Sequence, residues 1–188
     1  MKIIETSLPE VIILVPKLHG DSRGFFLETY REDTLKELGI NQRFIQDNHS
    51  RSTRGILRGL HYQLTQPQGK LVRVAQGAVF DVAVDVRRGS PTFGQWCGAT
   101  LDEENMRMMY IPQGFAHGFV VLSDIADFIY KCTDYYHPQS EQGILWNDPG
   151  IGIEWPITDV QLSEKDSSNL LLQDQPPELL PRYPGDNS

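Results

Sequence analysis

Basic residues are concentrated between Arg43 and Arg73, in a region that could bind an anion and move a proton. This window holds six of the seventeen Lys and Arg residues and a single acid, Asp47, so it is positive within a chain whose formal net charge is −8. A positive island in an acidic protein favours a small anionic ligand over a nucleic acid, which normally selects a basic domain. A solvated basic face is the alternative that charge alone leaves open.

His61, one of the two histidines inside this window, could serve as a general base because the unperturbed pKa of imidazole is about 6.5. A cupin metal site would have two histidines one residue apart here and a carboxylate shortly after them. This chain has Tyr62 and Gln63 after His61, so the sequence predicts no catalytic metal. A purely structural histidine is the competing interpretation for His61 on its own.

Short β-rich runs dominate the chain between Arg43 and Tyr136, and turn residues separate them. Such spacing predicts an all-β protein built as an antiparallel sandwich or barrel, and we expect a jelly roll because it can enclose a small ligand. The lack of helices between the runs excludes a doubly wound α/β fold. The eight runs are RFIQDNHS, GILRGLHYQL, KLVRVA, AVFDVAVDV, QWCGATL, MRMMYI, HGFVVL and DFIYKCT.

The two ends of the chain give weaker signals. Residues 11–15, VIILV, predict a buried or edge strand; HGDSRG predicts a turn and FFLETY a strand after it; residues 31–40 predict a short peripheral helix. The segment LSEKDSS, which starts at Leu162, is interpreted as a polar segment that ends the apolar run IEWP. The proline-rich tail from Gln173 is expected to wrap the surface or to be disordered at its end.

Length and composition predict one soluble domain over residues 1–188. We see no secretion signal, no apolar run long enough to cross a bilayer and no lipidation motif, and therefore expect a cytoplasmic protein without membrane contact. Cys97 and Cys132 lie in strand-like runs without CxxC spacing, which predicts two buried thiols.

Side-chain alternation along the predicted strands sorts the polar residues into faces. In GILRGLHYQL, Arg58 and His61 fall on opposite faces, so either Gly59 marks a bulge or the two side chains reach a ligand from different edges. Asp81 and Asp85 lie in an otherwise apolar strand. An unpaired buried carboxylate is costly, so we expect a basic partner such as Lys70 near them.

The segment PQGFAHGF predicts a glycine-containing loop that carries His117, either as a ligand contact or as part of a packed aromatic turn. Several other aromatic residues could stack on the ring of a nucleobase, although the sequence favours a core position for each of them. These residues are Phe25, Phe26, Phe115, Tyr135 and Tyr136.

A set of motifs between about residues 20 and 166 resembles the dTDP-4-dehydrorhamnose 3,5-epimerase family. The resemblance implies a cupin-type jelly roll that works as a homodimer with an exchanged N-terminal strand and uses no metal or cofactor. The motifs occur in the family's order: GDSRGFFLE, FIQDNHS, RGILRGLHYQ, QGKLVRV, FDVAVDVRRGSPTFG, IPQGFAHGF, YKCTDYY, DPGIGIEWP and LSEKD.

The resemblance also implies a substrate and residue roles. The family substrate is dTDP-4-dehydro-6-deoxy-D-glucose, whose ketone at C4 acidifies the hydrogens at C3 and C5. His61 corresponds to the base, Asp166 to its orienting partner, Tyr130 to the proton donor and Lys70 to the cation that stabilises the enolate. The implied substrate-binding residues are Arg23, Glu28, Gln46, Asp47, Asn48, Arg58, His117, Glu141 and Lys165.

Four functions remain to be compared. The first is double epimerisation at C3 and C5 in L-rhamnose biosynthesis, and the second is a single-carbon epimerase or ketoisomerase of another deoxysugar pathway. The third is a sugar-nucleotide binding protein without chemistry, which the combination of His61, Lys70 and Tyr130 argues against. The fourth is an iron-dependent cupin oxygenase.

Overall fold

The computed structural model describes residues 1–184 and is built almost entirely from antiparallel strands. The helices are α1 (Glu32–Glu37) and α2 (Glu164–Ser167), with 3-10 turns at Pro138–Ser140, Leu172–Asp174 and Pro177–Leu179. In chain order the strands are β1 (Lys2–Glu5), β2 (Ile12–Val15), β3 (Leu18–Asp21), β4 (Gly24–Leu27), β5 (Gln46–Thr53), β6 (Leu57–Gln63), β7 (Lys70–Gln76), β8 (Ala78–Asp85), β9 (Trp96–Asp102), β10 (Met108–Ile111), β11 (Phe115–Val121), β12 (Ile125–Cys132) and β13 (Glu141–Gly143).

Two sheets form the body of the protein. One has six strands in the order β1-β2-β10-β7-β12-β5, and the other has five in the order β13-β6-β11-β8-β9. The apolar core between them takes Val72, Met109 and Phe128 from the first sheet and Val79 and Phe119 from the second. The predicted jelly-roll class is therefore confirmed, as an open sandwich of two sheets.

All eight predicted β-rich runs contain a strand, and the predicted helix contains α1. The hairpin formed by β3 and β4 differs from the expectation, because the predicted turn starts too early and the predicted strand FFLETY ends at Leu27. The turn lies at Asp21–Gly24, where a carboxylate oxygen of Asp21 accepts a hydrogen bond from the backbone N–H of Arg23 at 2.9 Å. The segment LSEKDSS was also interpreted wrongly, since it contains α2.

The C-terminal segment covers the outer face of the five-stranded sheet. The Tyr62 hydroxyl donates a hydrogen bond to the backbone oxygen of Leu179 at 3.0 Å, and the Arg88 N–H donates to Pro181 at 2.8 Å. Leu180 is buried in the apolar cluster on that face. Up to residue 184 the tail packs on the surface of the sheet, and the expectation of disorder at its end falls on residues 185–188, which lie outside the described part. No helix within residues 1–184 has the length and apolar character needed to cross a membrane.

A bulge in β6 sets which side chains face the space between the sheets. Opposite β11, His61 pairs with His117 and Arg58 pairs with Phe119, so β6 carries one extra residue between these two pairs. Gly59 lies in this bulge with φ at +130°, a conformation that L residues rarely adopt. The extra residue brings Arg58 and His61 to the same side, which confirms the bulge among the two explanations of their spacing.

Replacing Gly59 by alanine should destabilise the protein. An added Cβ would lie 2.5 Å from the Gly118 Cα and 2.8 Å from the His117 oxygen, in addition to the backbone strain. We expect Gly59→Ala to lower the free energy of unfolding by about 3 kcal/mol or more.

Gly24 provides a matched control because it has the same φ of +130° but has no atom within 4 Å of an added Cβ. Urea unfolding should give a larger loss for Gly59→Ala than for Gly24→Ala. Equal losses would show that backbone strain alone matters and that the contact with β11 does not.

Candidate active site

An open cavity of about 660 Å³ lies at one end of the space between the two sheets. Polar side chains from both sheets and from α2 line it, which is unusual for the interior of a sandwich. The predicted site residues that line it are Gln46, Asn48, Arg58, His61, Lys70, His117, Tyr130, Glu141, Lys165 and Asp166. The sequence therefore identified most of the polar lining of this cavity.

On one wall, His61 is held by a carboxylate from α2. Its Nε2 lies 2.5 Å from Oδ1 of Asp166, which is itself buried. Ser163 caps α2 and accepts a hydrogen bond from the Asp166 N–H at 3.1 Å, so the cap fixes where this carboxylate stands. Burial raises the pKa of Asp166, but the hydrogen bond and charge of His61 outweigh it and the pKa falls below its ordinary value.

Arg58 lies on the same wall because of the bulge. Its guanidinium donates hydrogen bonds from Nε and Nη2 to the Ser52 hydroxyl, at 3.1 and 3.0 Å. No carboxylate pairs with it within residues 1–184, so its remaining N–H groups can bind an anion in the cavity.

On the facing wall, Tyr130 and Lys70 come from neighbouring strands of the six-stranded sheet. Tyr130 is opposite Val72 and Lys70 is opposite Cys132, so all four side chains share one face. Burial raises the pKa of the Tyr130 hydroxyl and lowers the pKa of the Lys70 ammonium. A weak acid and a cation thus face a histidine–carboxylate pair across one cavity.

The two buried carboxylates of β8 have basic partners, as expected, although neither forms a direct ion pair with Lys70. The oxygens of Asp81 lie 2.9 and 3.1 Å from Nε2 of His117, and Asp85 binds the guanidinium of Arg87 at 2.8 Å. Lys70 is close enough to act on the pKa of Asp81 electrostatically.

At the mouth of the cavity, Glu141 connects three other side chains. It accepts hydrogen bonds from Lys165 and from the Tyr136 hydroxyl, and its Oε1 lies 4.0 Å from Nδ1 of His61. Tyr136 also lines the cavity, although the sequence favoured a core position for it. Its position just after β12 and beside Tyr135, in a polar segment, was the signal available.

Two predictions on individual residues are corrected by the structure. His117 lies within β11 and is 7% exposed, so most of PQGFAHGF is strand and not loop. Every residue of β11 is buried, as is typical of an interior strand. Of the aromatic residues expected in the core, only Phe115 is buried. The exposed ones are Phe25, Phe26, Tyr135 and Tyr136.

Three predicted binding residues do not line this cavity. Arg23 and Glu28 are exposed, on the β3–β4 hairpin and just after it. Asp47 alternates with Gln46 and Asn48, so it faces outward, where it forms an ion pair with Lys131 at 2.9 Å. Their role in binding stays a prediction.

Possible metal ligands are dispersed. Within residues 1–184 no group of three or more His, Cys, Asp and Glu side chains is arranged to hold a metal ion. In the cavity each histidine instead lies beside its own aspartate. The arrangement suits proton transfer between fixed groups.

Comparison with known proteins agrees with this geometry. The sequence model of dTDP-4-dehydrorhamnose 3,5-epimerase matches residues 5–174. The chain belongs to this family. A solved dTDP-6-deoxy-D-glucose-3,5-epimerase from Legionella pneumophila, in complex with dTDP-4-keto-L-rhamnose, is similar with a TM-score of 0.96 and 58% identity over 97% of this chain and 98% of that chain.

Two curated relatives, both dTDP-4-dehydrorhamnose 3,5-epimerases, are equally similar in sequence. The protein from Pseudomonas aeruginosa is 58% identical over 88% of this chain and 93% of its own length. The protein from Neisseria gonorrhoeae is 58% identical over 88% of this chain, which spans about half (51%) of that relative. The predicted family is confirmed over most of the chain.

The lowered pKa of Asp166 predicts a pH-dependent effect of Asp166→Asn. A carboxylate whose folded pKa is depressed stabilises the protein above its unfolded pKa of about 3.9, and this contribution is lost as the pH falls through the folded value. We expect Asp166→Asn to cost about 1.5–3 kcal/mol at pH 7 and less at pH 3, which lies below the unfolded pKa.

Urea unfolding at both pH values measures this difference. Asp124→Asn, at an exposed loop position, is the control and should change stability little at either pH. An Asp166→Asn variant as stable as the wild type at pH 7 would contradict a stabilising contact with His61.

Proposed function

We propose that the protein epimerises C3 and C5 of dTDP-4-dehydro-6-deoxy-D-glucose to give dTDP-4-dehydro-L-rhamnose, in L-rhamnose biosynthesis and without a metal or cofactor. One observation carries the proposal: the His61–Asp166 pair and Tyr130 belong to opposite walls of one cavity. Inversion at a carbon needs a proton removed from one face and another returned to the opposite face. Membership of the epimerase family supports the choice of substrate.

In the proposed reaction, His61 removes the proton from C3 or C5, and the electron pair of that C–H bond moves into an enolate whose oxygen is at C4. The ammonium of Lys70 stabilises this oxygen. Asp166 accepts the Nε2 hydrogen bond and stabilises the imidazolium that forms. Tyr130 then gives its proton to the other face of the carbon, which inverts the centre, and solvent restores both groups.

The nucleotide would occupy the wider part of the cavity. Arg58 and Lys165 supply positive charge for the diphosphate, and the amides of Gln46 and Asn48 supply hydrogen bonds. Tyr136 lies at the mouth and is partly exposed, so its ring can stack on the nucleobase of the substrate.

We further propose that the active form is a homodimer that exchanges N-terminal segments. Within residues 1–184 the β3–β4 hairpin forms no sheet with other strands, and it exposes Phe25 by 60% and Phe26 by 71%. Exposed phenylalanines beside the charged Arg23 and Glu28 suit a surface that is covered by a second copy. In that arrangement Arg23 and Glu28 would complete the partner's cavity.

The reaction itself is tested by proton NMR of dTDP-4-dehydro-6-deoxy-D-glucose incubated with the protein in D₂O. The wild type should place deuterium at C3 and C5 and produce the new configuration. His61→Ala should slow both by about 10²–10⁴-fold, since it removes the base. Tyr130→Phe should lose the new configuration while exchange continues, because the base remains.

Each alternative has its own outcome in this experiment. Deuterium at one carbon only would favour a single-carbon epimerase, and a product with the ketone moved would favour a ketoisomerase. A wild type that binds dTDP without any exchange would be a binding protein. Turnover that depends on added iron would support the oxygenase.

The proposed dimer predicts complementation between two inactive variants. Mixing Arg23→Ala with His61→Ala through unfolding and refolding should restore about a quarter of the wild-type rate, because half of the dimers are mixed and each contains one complete site. Mixing His61→Ala with Tyr130→Phe is the control and should restore nothing, since both groups come from one chain. A fully active monomer in sedimentation would exclude the shared site.

A further inference from the structure

We propose that Asp81 is a positioning residue for this reaction: it holds His117 in a single neutral tautomer and keeps a negative charge close to Lys70. The inference rests on the proposed function, and none of the roles carried by the family resemblance includes Asp81. It is based on the packing of β8 and β11 in the described residues.

The hydrogen bond between Asp81 and His117 is buried and strongly constrained. Asp81 is 0% exposed, and Val79 and Ala83 on the same face of β8 belong to the apolar core. His117 stacks on Phe128 with the ring centres 6.0 Å apart, so its imidazole cannot turn freely. Asp81 thus presents its carboxylate to one edge of a fixed ring.

The two distances from His117 Nε2 to Asp81, 2.9 and 3.1 Å, indicate which atom carries the proton. A protonated carboxyl group would form one short O–H···N bond through a single oxygen, whereas an N–H group can be shared by the two oxygens of a carboxylate. We therefore take Nε2 of His117 to donate to an ionised Asp81. Burial raises the pKa of this carboxyl group, and the hydrogen bond from His117 and the charge of Lys70 act against that rise. Nδ1 remains an acceptor for a sugar hydroxyl in the cavity.

Neutrality of His117 matters because His61 is its direct cross-strand partner. An imidazolium at His117 would oppose the positive charge that His61 acquires when it takes a proton. Burial lowers the pKa of His117, which keeps the ring neutral, while Asp81 determines which nitrogen holds the single hydrogen.

The charge of Asp81 also acts on Lys70, which lines the same cavity as His117. Burial lowers the pKa of the Lys70 ammonium, and Asp81 acts in the opposite direction. The groups that face Lys70 are Asp81 from β8, Cys132 from β12, Glu141 from β13 and His117 from β11. Asp81 and Glu141 are the carboxylates among them, and Asp81 is the one completely shielded from water. Its interaction with Lys70 is therefore the least screened.

The test compares Asp81→Asn with Asp85→Asn. Asp85 is a buried carboxylate on the same strand and face, but it binds Arg87, Ser90 and Thr92 away from the cavity.

Asp81→Asn should lower kcat by about 10–100-fold, the usual effect of losing a partner that orients a site residue. It should also move the alkaline limb of the kcat–pH profile to lower pH, because Lys70 loses its proton more easily. Asp85→Asn should lower the melting temperature and leave the profile in place.

Histidine ¹⁵N NMR provides a readout that does not depend on turnover. In the wild type at pH 7, His117, assigned by its absence in His117→Gln, should carry its hydrogen on Nε2; in Asp81→Asn the hydrogen should move to Nδ1. A wild-type His117 with its hydrogen on Nδ1, or protonated at both nitrogens, would overturn the inference. So would a folded Asp81→Asn with an unchanged pH profile. If the wild type does not turn over the sugar, the proposed function fails while this NMR result still decides the role of Asp81.

Discussion

The bulge at Gly59 is the constraint on which the rest of the site depends. Regular alternation would send Arg58 and His61 to opposite faces of β6, so that one of them would leave the cavity. One extra residue brings both inward, where Arg58 and His61 then line the same cavity. Only glycine fits there, because β11 passes so close that any side chain would meet its backbone. This local irregularity of β6 therefore brings the two side chains together in the cavity.

Around this bulge, the interior tolerates an unusual number of titratable groups because each one has a fixed neighbour. His61 has Asp166, His117 has Asp81, and both aspartates are buried. Such pairs contribute little net stability compared with an apolar core, since removing charges from water is costly. What they contribute is orientation, because a buried pair holds each imidazole in place before a ligand arrives, as the proposed reaction requires. The apolar strands on either side supply the stability that the pairs do not.

The two sheets divide the chemistry between them. The five-stranded sheet presents the histidines and Arg58, and the six-stranded sheet presents Lys70 and Tyr130. A flat ring bound between the walls would meet a base on one side and an acid on the other, which a site built on a single sheet could not offer. The short helix α2 is the exception to this division, since it reaches in from a loop to orient His61.

The sequence by itself determined the strand pattern, the family and most of the polar lining, because alternating apolar residues and punctuating turns are local signals and the motifs are read in order. Several features needed the tertiary structure. Local spacing does not tell whether a bulge or two different edges bring Arg58 and His61 to one ligand. It also does not show that Asp81 pairs with His117. The core position favoured for Tyr136 was wrong for the same reason, since a tyrosine at a cavity mouth and one in a core look alike until the strands that surround it are placed. The register of β6 against β11 decided the bulge, and the pairing of β8 with β11 brought Asp81 to His117. Both depend on contacts between residues far apart in the chain.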